Sequence, residues 1–187
     1  MDDFDQKVFL MEIEAQCTYA LHAIQNLNMA IGGIHANGVD QQRMRYLLRE
    51  TFRSLHSFLS HTSNISKMIW PIDSKKHREI RNARAAHLKT LLEIDDENPI
   101  RSRELRDHLE HYDERLDHWA QTSTHKNIVA DNIGDWGAIQ GLDSGDFMRW
   151  YDPADKSFRF RGVRYDINEL FLAVQALHQK IPADLKH

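Results

Sequence analysis

Cysteine is nearly absent. Cys17 is the only one in 187 residues, so there is no disulfide framework within the chain and no zinc site built on thiolates. A reducing compartment, the cytoplasm, is the expected setting. Proline is scarce at four residues, and four of the eight glycines fall within 123–146. The rest of the chain therefore carries little that would break a helix. A positive surplus is also missing: the formal net charge is −4, so no global field draws the chain onto nucleic acid or an anionic membrane, and any such binding has to come from a local patch. No apolar run approaches the roughly 20 residues that cross a bilayer. The opening MDDFDQK is acidic and lacks the basic region of a signal peptide. Histidine, by contrast, is abundant at 12 residues.

What is present reads as a mainly α single domain, 1–187, with enough length to bury a core. Over 3–31, Leu10, Ile13, Cys17, Ala20, Ile24, Leu27 and Ile31 step by three and four, a narrow apolar seam suited to a bundle helix. Gly32-Gly33 is the expected stop. A second long helix is expected over 40–69 on Met44, Leu48, Leu55 and Leu59, closed by Trp70-Pro71, because the residue before proline is pushed out of the α region. Ser74 is the candidate cap of a third helix over 75–93, with Ile80, Leu88 and Leu91 on one side. Asn98-Pro99 then opens a fourth, running to Thr122 on the seam Leu105, Leu109, Tyr112, Leu116 and Trp119. These four helices form the expected bundle, 3–122.

Residues 123–187 read as an appendage to it. A glycine-rich loop fills 123–146. FMRWY and SFRFRGVRY flank DPADK, and this spacing predicts a β-hairpin. Phe158 and Phe160 share one face, and Arg159 and Arg161 the other. After Gly162 the alternation slips by one, which suggests a bulge. Asp166 with Glu169 three residues on caps a closing helix, 167–180, in capping-box spacing. Trp70, Trp119, Trp136 and Trp150 are most simply core or interface aromatics.

The stretch 103–116, RELRDHLEHYDERL, raises a chemical question. On a helical wheel Glu104, His108, His111, Arg115 and His118 make one polar ridge beside the seam, with Arg106 on the opposite shoulder. As residues alone, the ridge admits a solvated or packed face serving a scaffolding or protein-interaction role. It also admits a metal-binding bundle, with Glu104, His108 and His111 as candidate ligands. The paired Glu-x-x-His pattern of di-iron bundles does not occur, and no stoichiometric metal or other cofactor is expected.

Arg106, Asp107, His111 and Tyr112 resemble the R-x(4–6)-H motif of the HEPN superfamily, with a polar residue after the arginine and an aromatic after the histidine. The resemblance covers roughly 3–122. It implies a helical bundle and a metal-independent endoribonuclease acting on single-stranded RNA, with a site composed across a two-fold dimer. His111 would then move the proton and Arg106 would hold the phosphate, with Asp107, His108, Tyr112 and Arg115 in support. A histidine titrates near neutral pH without perturbation, and a guanidinium matches phosphate oxygens bidentately. On a straight helix, however, positions 106 and 111 diverge by about 140°, so the pair needs a kinked helix or a second chain. A homodimer is expected on that ground. A second ground is that the long pair, helices 1 and 2, should overhang the shorter helices 3 and 4 by roughly 10 Å and expose seam residues such as Ile24, Leu27 and Ile31. Candidate RNA contacts are Lys75, Lys76, Arg78, Arg81 and Arg84. Arg149, Arg159, Arg161 and Arg164 on the hairpin are interleaved with Phe158, Phe160 and Tyr165.

Overall fold

The computed structural model describes residues 2–72 and 75–186, without the side chains of Leu105, Arg106 and Leu109. It is mainly helical and carries a small mixed sheet. No helix among the described residues is long and apolar enough to cross a membrane.

Helices α1 (Asp3–Ile34) and α2 (Gln41–Ile69) form the central hairpin. Asp2 and Asp40 cap them by accepting from the amides of Asp5 at 2.8 Å and Arg43 at 2.7 Å. The expected seam of α1 is the buried one: Leu10, Ile13, Cys17, Ala20, Ile24 and Leu27 are all inside, and Ile31 packs against them. The glycines at 32 and 33 do not stop the helix, which runs on to Ile34. Gly33 instead permits a close approach, since a Cβ there would stand 3.0 Å from a Leu47 methyl. Burial of Ile24 and Leu27 removes one ground for a dimer. Helix α2 passes its expected bounds almost unchanged and closes at Trp70, but its core is wider than Leu55 and Leu59. It adds Leu47, Phe52, Phe58, Ile65 and Ile69, while Met44 and Leu48 are only half-buried.

Helix α3 is shorter than expected, Arg78–Leu91, and is preceded by His77 in a left-handed conformation. The expected cap Ser74 lies outside the described residues. Leu88 is buried as expected, but Ile80 and Leu91 face solvent and Leu92 and Ile94 take their place in the core. The expected fourth helix is not continuous. Pro99–Arg101 makes one 3-10 turn, then α4 (Glu104–Glu110) and α5 (Tyr112–Thr122) follow, separated at His111. Helix α6 (Ile167–Lys180) has the expected bounds and cap, Asp166 Oδ1 accepting from the Glu169 amide at 2.9 Å. It lies along α1, where the buried Glu14 meets His178 Nε2 at 3.3 Å and accepts from Thr18 Oγ1 at 2.9 Å. Burial and the neighbouring Glu14 charge push the Cys17 thiol up to about 12, so it stays protonated and unreactive.

The C-terminal part holds more strands than a hairpin. Strands β1 (Val129–Ile133), β2 (Phe147–Asp152), β3 (Ser157–Phe160) and β4 (Val163–Asp166) make a sheet in the order β1-β2-β3-β4. The β1–β2 pair is parallel and the other two are antiparallel. β1 falls in the stretch expected to be loop. The expected bulge at Gly162 is instead a two-residue turn, with Arg161 at φ 48° and Gly162 at φ 83°. Both values are positive, as the turns that match strand twist require. The slip in alternation therefore marks a change of strand. Tyr151, Phe158 and Phe160 face the helices and join their core. On the other face Trp136, from the β1–β2 connection, covers Trp150 at 5.2 Å between ring centres, and the Arg159 guanidinium lies 4.8 Å from its centre.

Candidate functional site

The breaks in the 99–122 segment have both local and distant causes. Asn98 Oδ1 accepts from the Ile100 amide at 3.0 Å, so the expected cap forms, but Ser102 is extended and the helix must restart. Further on, Glu110 has like charges three and four residues away, at Asp113 and Glu114, and Asp113 has another at Asp117. Such pairs cost a helix a few tenths of a kcal/mol each. Tyr112 is meanwhile drawn toward the sheet. Its ring meets Phe160 edge-on at 6.0 Å and carries the Arg149 guanidinium at 4.9 Å. Asp131 Oδ1 fixes that guanidinium at 2.7 Å. His111 takes up the change in direction with φ −106° and ψ 38°.

The ridge read from the helical wheel is divided by this break. His111 stands exposed and faces Glu114 Oε1 at 3.3 Å. Asp107 is exposed. The Arg106 side chain lies outside the described residues. His108 turns inward and stacks on Phe160, with ring centres 5.1 Å apart and planes at 15°. Burial and then the Arg115 charge hold its imidazole below the usual histidine value. Glu104 and Asp107 oppose that shift, and Arg161 adds to it. Burial and the neighbouring Glu104 push the Tyr165 phenol up to about 12.

His108, Arg115 and His118 come together around one open pocket of about 340 Å³, joined by Phe160, Arg161 and Ser144. Arg161 reaches it from the β3–β4 turn and donates from Nη1 to His118 Nδ1 at 3.1 Å. Gly162 seats that turn, because a Cβ there would come within 2.7 Å of the Ser144 Cβ. Asp146, 3% exposed, fixes the other wall by accepting from Trp119 Nε1 at 2.8 Å and Ser123 Oγ at 2.9 Å. No carboxylate is among the described residues that line the pocket.

The other sequence candidates are mostly engaged elsewhere. Arg149 pairs with Asp131, Arg159 lies on Trp136, and Arg164 sits between Asp155 and Asp166. Arg161 alone of these four has no carboxylate partner among the described residues. Lys75, Lys76 and Arg78 are exposed at the entry to α3. Arg81 donates from Nη2 to the Lys76 carbonyl at 2.5 Å, and Arg84 from Nε to the Met68 carbonyl at 3.3 Å while covering Phe9. Glu104, His108 and His111 do not converge, and among the described residues no three His, Cys, Asp or Glu side chains are grouped as metal ligands would be.

Two contributions escape the sequence reading: Arg161 as a pocket residue, and the Ser144 wall. A signal for the first was present. Arg-Gly between alternating segments fits a two-residue turn, whose tip would project a guanidinium toward whatever packs beside the sheet. No signal marked Ser144.

These elements define a mainly α chain with a four-stranded mixed sheet and a basic pocket where the two meet. None of the family models, curated proteins or solved structures compared with it matches.

Proposed function

We propose that this chain is a HEPN-like protein that cleaves single-stranded RNA without a metal, with Arg106 and His111 as its central pair. The observation carrying this reading is the exposure of His111 at the C-terminal end of α4, within reach of a substrate or a second chain. Its amide still bonds the Asp107 carbonyl at 3.1 Å, so the helix is regular between positions 106 and 111, the divergence of about 140° stands, and the proposed site is completed by a second chain.

In the proposed reaction an imidazole takes the proton of the ribose 2′-hydroxyl and the 2′-oxygen attacks phosphorus. The bond to the 5′-oxygen breaks, and that oxygen is protonated by an imidazolium. The products are a 2′,3′-cyclic phosphate and a 5′-hydroxyl. Arg106 neutralises charge on the phosphorane, the interaction that strengthens most toward the transition state. Asp107, His108, Tyr112 and Arg115 support the pair, and Lys75, Lys76 and Arg78 supply exposed charge for the RNA backbone.

A cytoplasmic homodimer belongs to the same reading. The exposed apolar residues that favour it are Phe4, Val8, Met11 and Tyr19 on α1, in place of the buried overhang. That stripe also favours a second reading, a non-catalytic interaction protein.

Purified protein in EDTA, given single-stranded RNA, should leave cyclic phosphate ends. His111→Ala and Arg106→Ala should each abolish the cleavage. Equal background cutting by wild type and both variants would leave the interaction protein as the better reading. Light scattering after size exclusion should give about twice the chain mass of 21.9 kDa.

A further inference from the structure

We propose that the pocket between α4–α5 and the β3–β4 turn, lined by His108, Arg115, His118 and Arg161, binds a phosphate group. The inference does not rest on cleavage: it shares only the supporting residues His108 and Arg115 with the proposed ribonuclease site, not the Arg106–His111 pair, and concerns binding alone.

Charge is the first argument. The chain as a whole is acidic, at −4, yet here two permanently charged guanidiniums and two imidazoles line one opening that has no carboxylate among its described lining residues. Glu104 and Asp107 act on His108 from outside the opening, but neither lines it, and like charges facing one space are relieved when an anion joins them. The Nε atoms of Arg115 and Arg161 and Nδ1 of His108 are buried with no hydrogen-bond partner, and buried polar groups left in that state are uncommon in folded proteins.

Donor geometry is the second argument. A guanidinium can only donate, so the 3.1 Å contact from Arg161 Nη1 makes His118 Nδ1 an acceptor. The proton of that ring then resides on Nε2, which leaves His118 a donor at the pocket lining. Donors thus arrive from α5 and from the turn. A carboxylate is satisfied in one plane by one arginine, whereas donors converging from separate elements suit the tetrahedral oxygens of phosphate. The pocket's volume, about 340 Å³, lies at the low end of the roughly 300–1,000 Å³ of small-molecule sites.

The backbone supplies the third argument. Arg161 is held at φ 48°, a left-handed conformation that is unfavourable for a non-glycine residue. Glycine or asparagine would relieve the turn. A guanidinium kept there despite the cost, beside a glycine that fits only without a side chain, is consistent with strain retained for binding.

The phosphate could belong to a mononucleotide or to a nucleic-acid chain, and the test separates them. Inorganic phosphate titrated into 15N-labelled protein should shift the ring nitrogens of His108 and His118 saturably and leave those of the exposed His35 and His125 in place. Calorimetry should show binding weakened about tenfold or more in Arg115→Gln and in Arg161→Gln, the loss expected for one charge-assisted contact of about 1.4 kcal/mol. Arg45→Gln with Arg49→Gln, both exposed on α2, should bind as wild type does. Arg115 lies within a regular helix, so its variant carries the test if the strained turn does not tolerate change at 161.

Adenosine 5′-monophosphate binding more tightly than a 2′-deoxy dinucleoside monophosphate would assign a terminal phosphate, and the reverse order an internal one. Adenosine binding as well as its monophosphate would overturn the proposal. So would unchanged affinity in Arg115→Gln, or an equal loss in the α2 double variant. None of these probes can be cleaved by attack of a 2′-hydroxyl, so the outcome is independent of the ribonuclease reading.

Discussion

The α1–α2 hairpin and the α4–α5 segment are both helical and both amphipathic, yet they stand in opposite relations to the core. The hairpin fills its interface with side chains such as Ile13, Leu27, Leu55 and Phe58, each at most 1% exposed. Helix α5 buries no residue fully, and its seam residues Tyr112, Leu116 and Trp119 are all half-buried. Between burial and exposure, the α4–α5 segment is held by specific contacts: the Trp119 indole on Asp146, the Tyr112 ring under Arg149 and His108 on Phe160. The hairpin draws its stability from area, whereas α4–α5 is fixed in place by a few directional interactions, the arrangement expected where side chains have to be aimed.

Truncation should separate the two most strongly. Phe58→Ala in the hairpin should cost about 3–5 kcal/mol, the range for a fully buried aromatic. Leu116→Ala in α5 should cost well under half of that. Urea unfolding of both variants measures the difference, and equal losses would show that α5 is as much a part of the core as α2.

Gly162→Ala ranks next. It places a methyl 2.7 Å from the Ser144 Cβ at a φ of 83°, so overpacking and backbone strain add to a cost of about 1–3 kcal/mol. The movement falls on Arg161, and phosphate binding should drop with stability. A variant that loses stability but keeps phosphate affinity would separate the turn from the pocket.

The two regions also differ in how far the sequence disclosed them. The α1 seam and the α6 cap could be read because both follow local rules, three–four periodicity and a carboxylate three residues before an amide. The α4–α5 break could not be placed, because its seam continues in phase through His111. What interrupts it is Tyr112 meeting Arg149 and Phe160, partners 37 and 48 residues away in sequence. The pocket shows the same limit. His108 and Arg115 fall on the wheel's polar ridge, but Arg161 joins them only through the sheet. The overhang expected for the long pair failed for a related reason: a count of lengths does not show how far α1 and α2 cover each other's seams, as Leu47 against Gly33 does at that end.

Removing one directional contact should have a smaller effect than removing area, and one that is local. Asp146→Ala leaves the Trp119 indole N–H and the Ser123 hydroxyl without their acceptor, which costs about 1–3 kcal/mol. Hydrogen exchange should accelerate in α5 and remain unchanged in α1 and α2. Uniform acceleration across the chain would mean that the two regions unfold together.

The smallest effect expected concerns pH. Burial holds His56, His61 and His108 below the ordinary histidine value, aided by Arg149 at His56 and by Arg115 and Arg161 at His108, against Glu104 and Asp107. A histidine depressed in the fold titrates at its usual value of about 6.5 once unfolded. Below that pH the unfolded chain binds more protons than the folded one, so stability falls as the pH drops and is fully present above it. Melting temperature should therefore decline from pH 7.5 to 5.5. His108→Gln should flatten part of that decline by removing the group with two guanidiniums facing it. Phosphate should flatten it in wild type as well, because an anion beside Arg115 offsets the charge that disfavours the imidazolium. If phosphate protects wild type and His108→Gln equally at low pH, the anion acts away from His108, and the pH sensitivity belongs to the helical hairpin through His56 and His61.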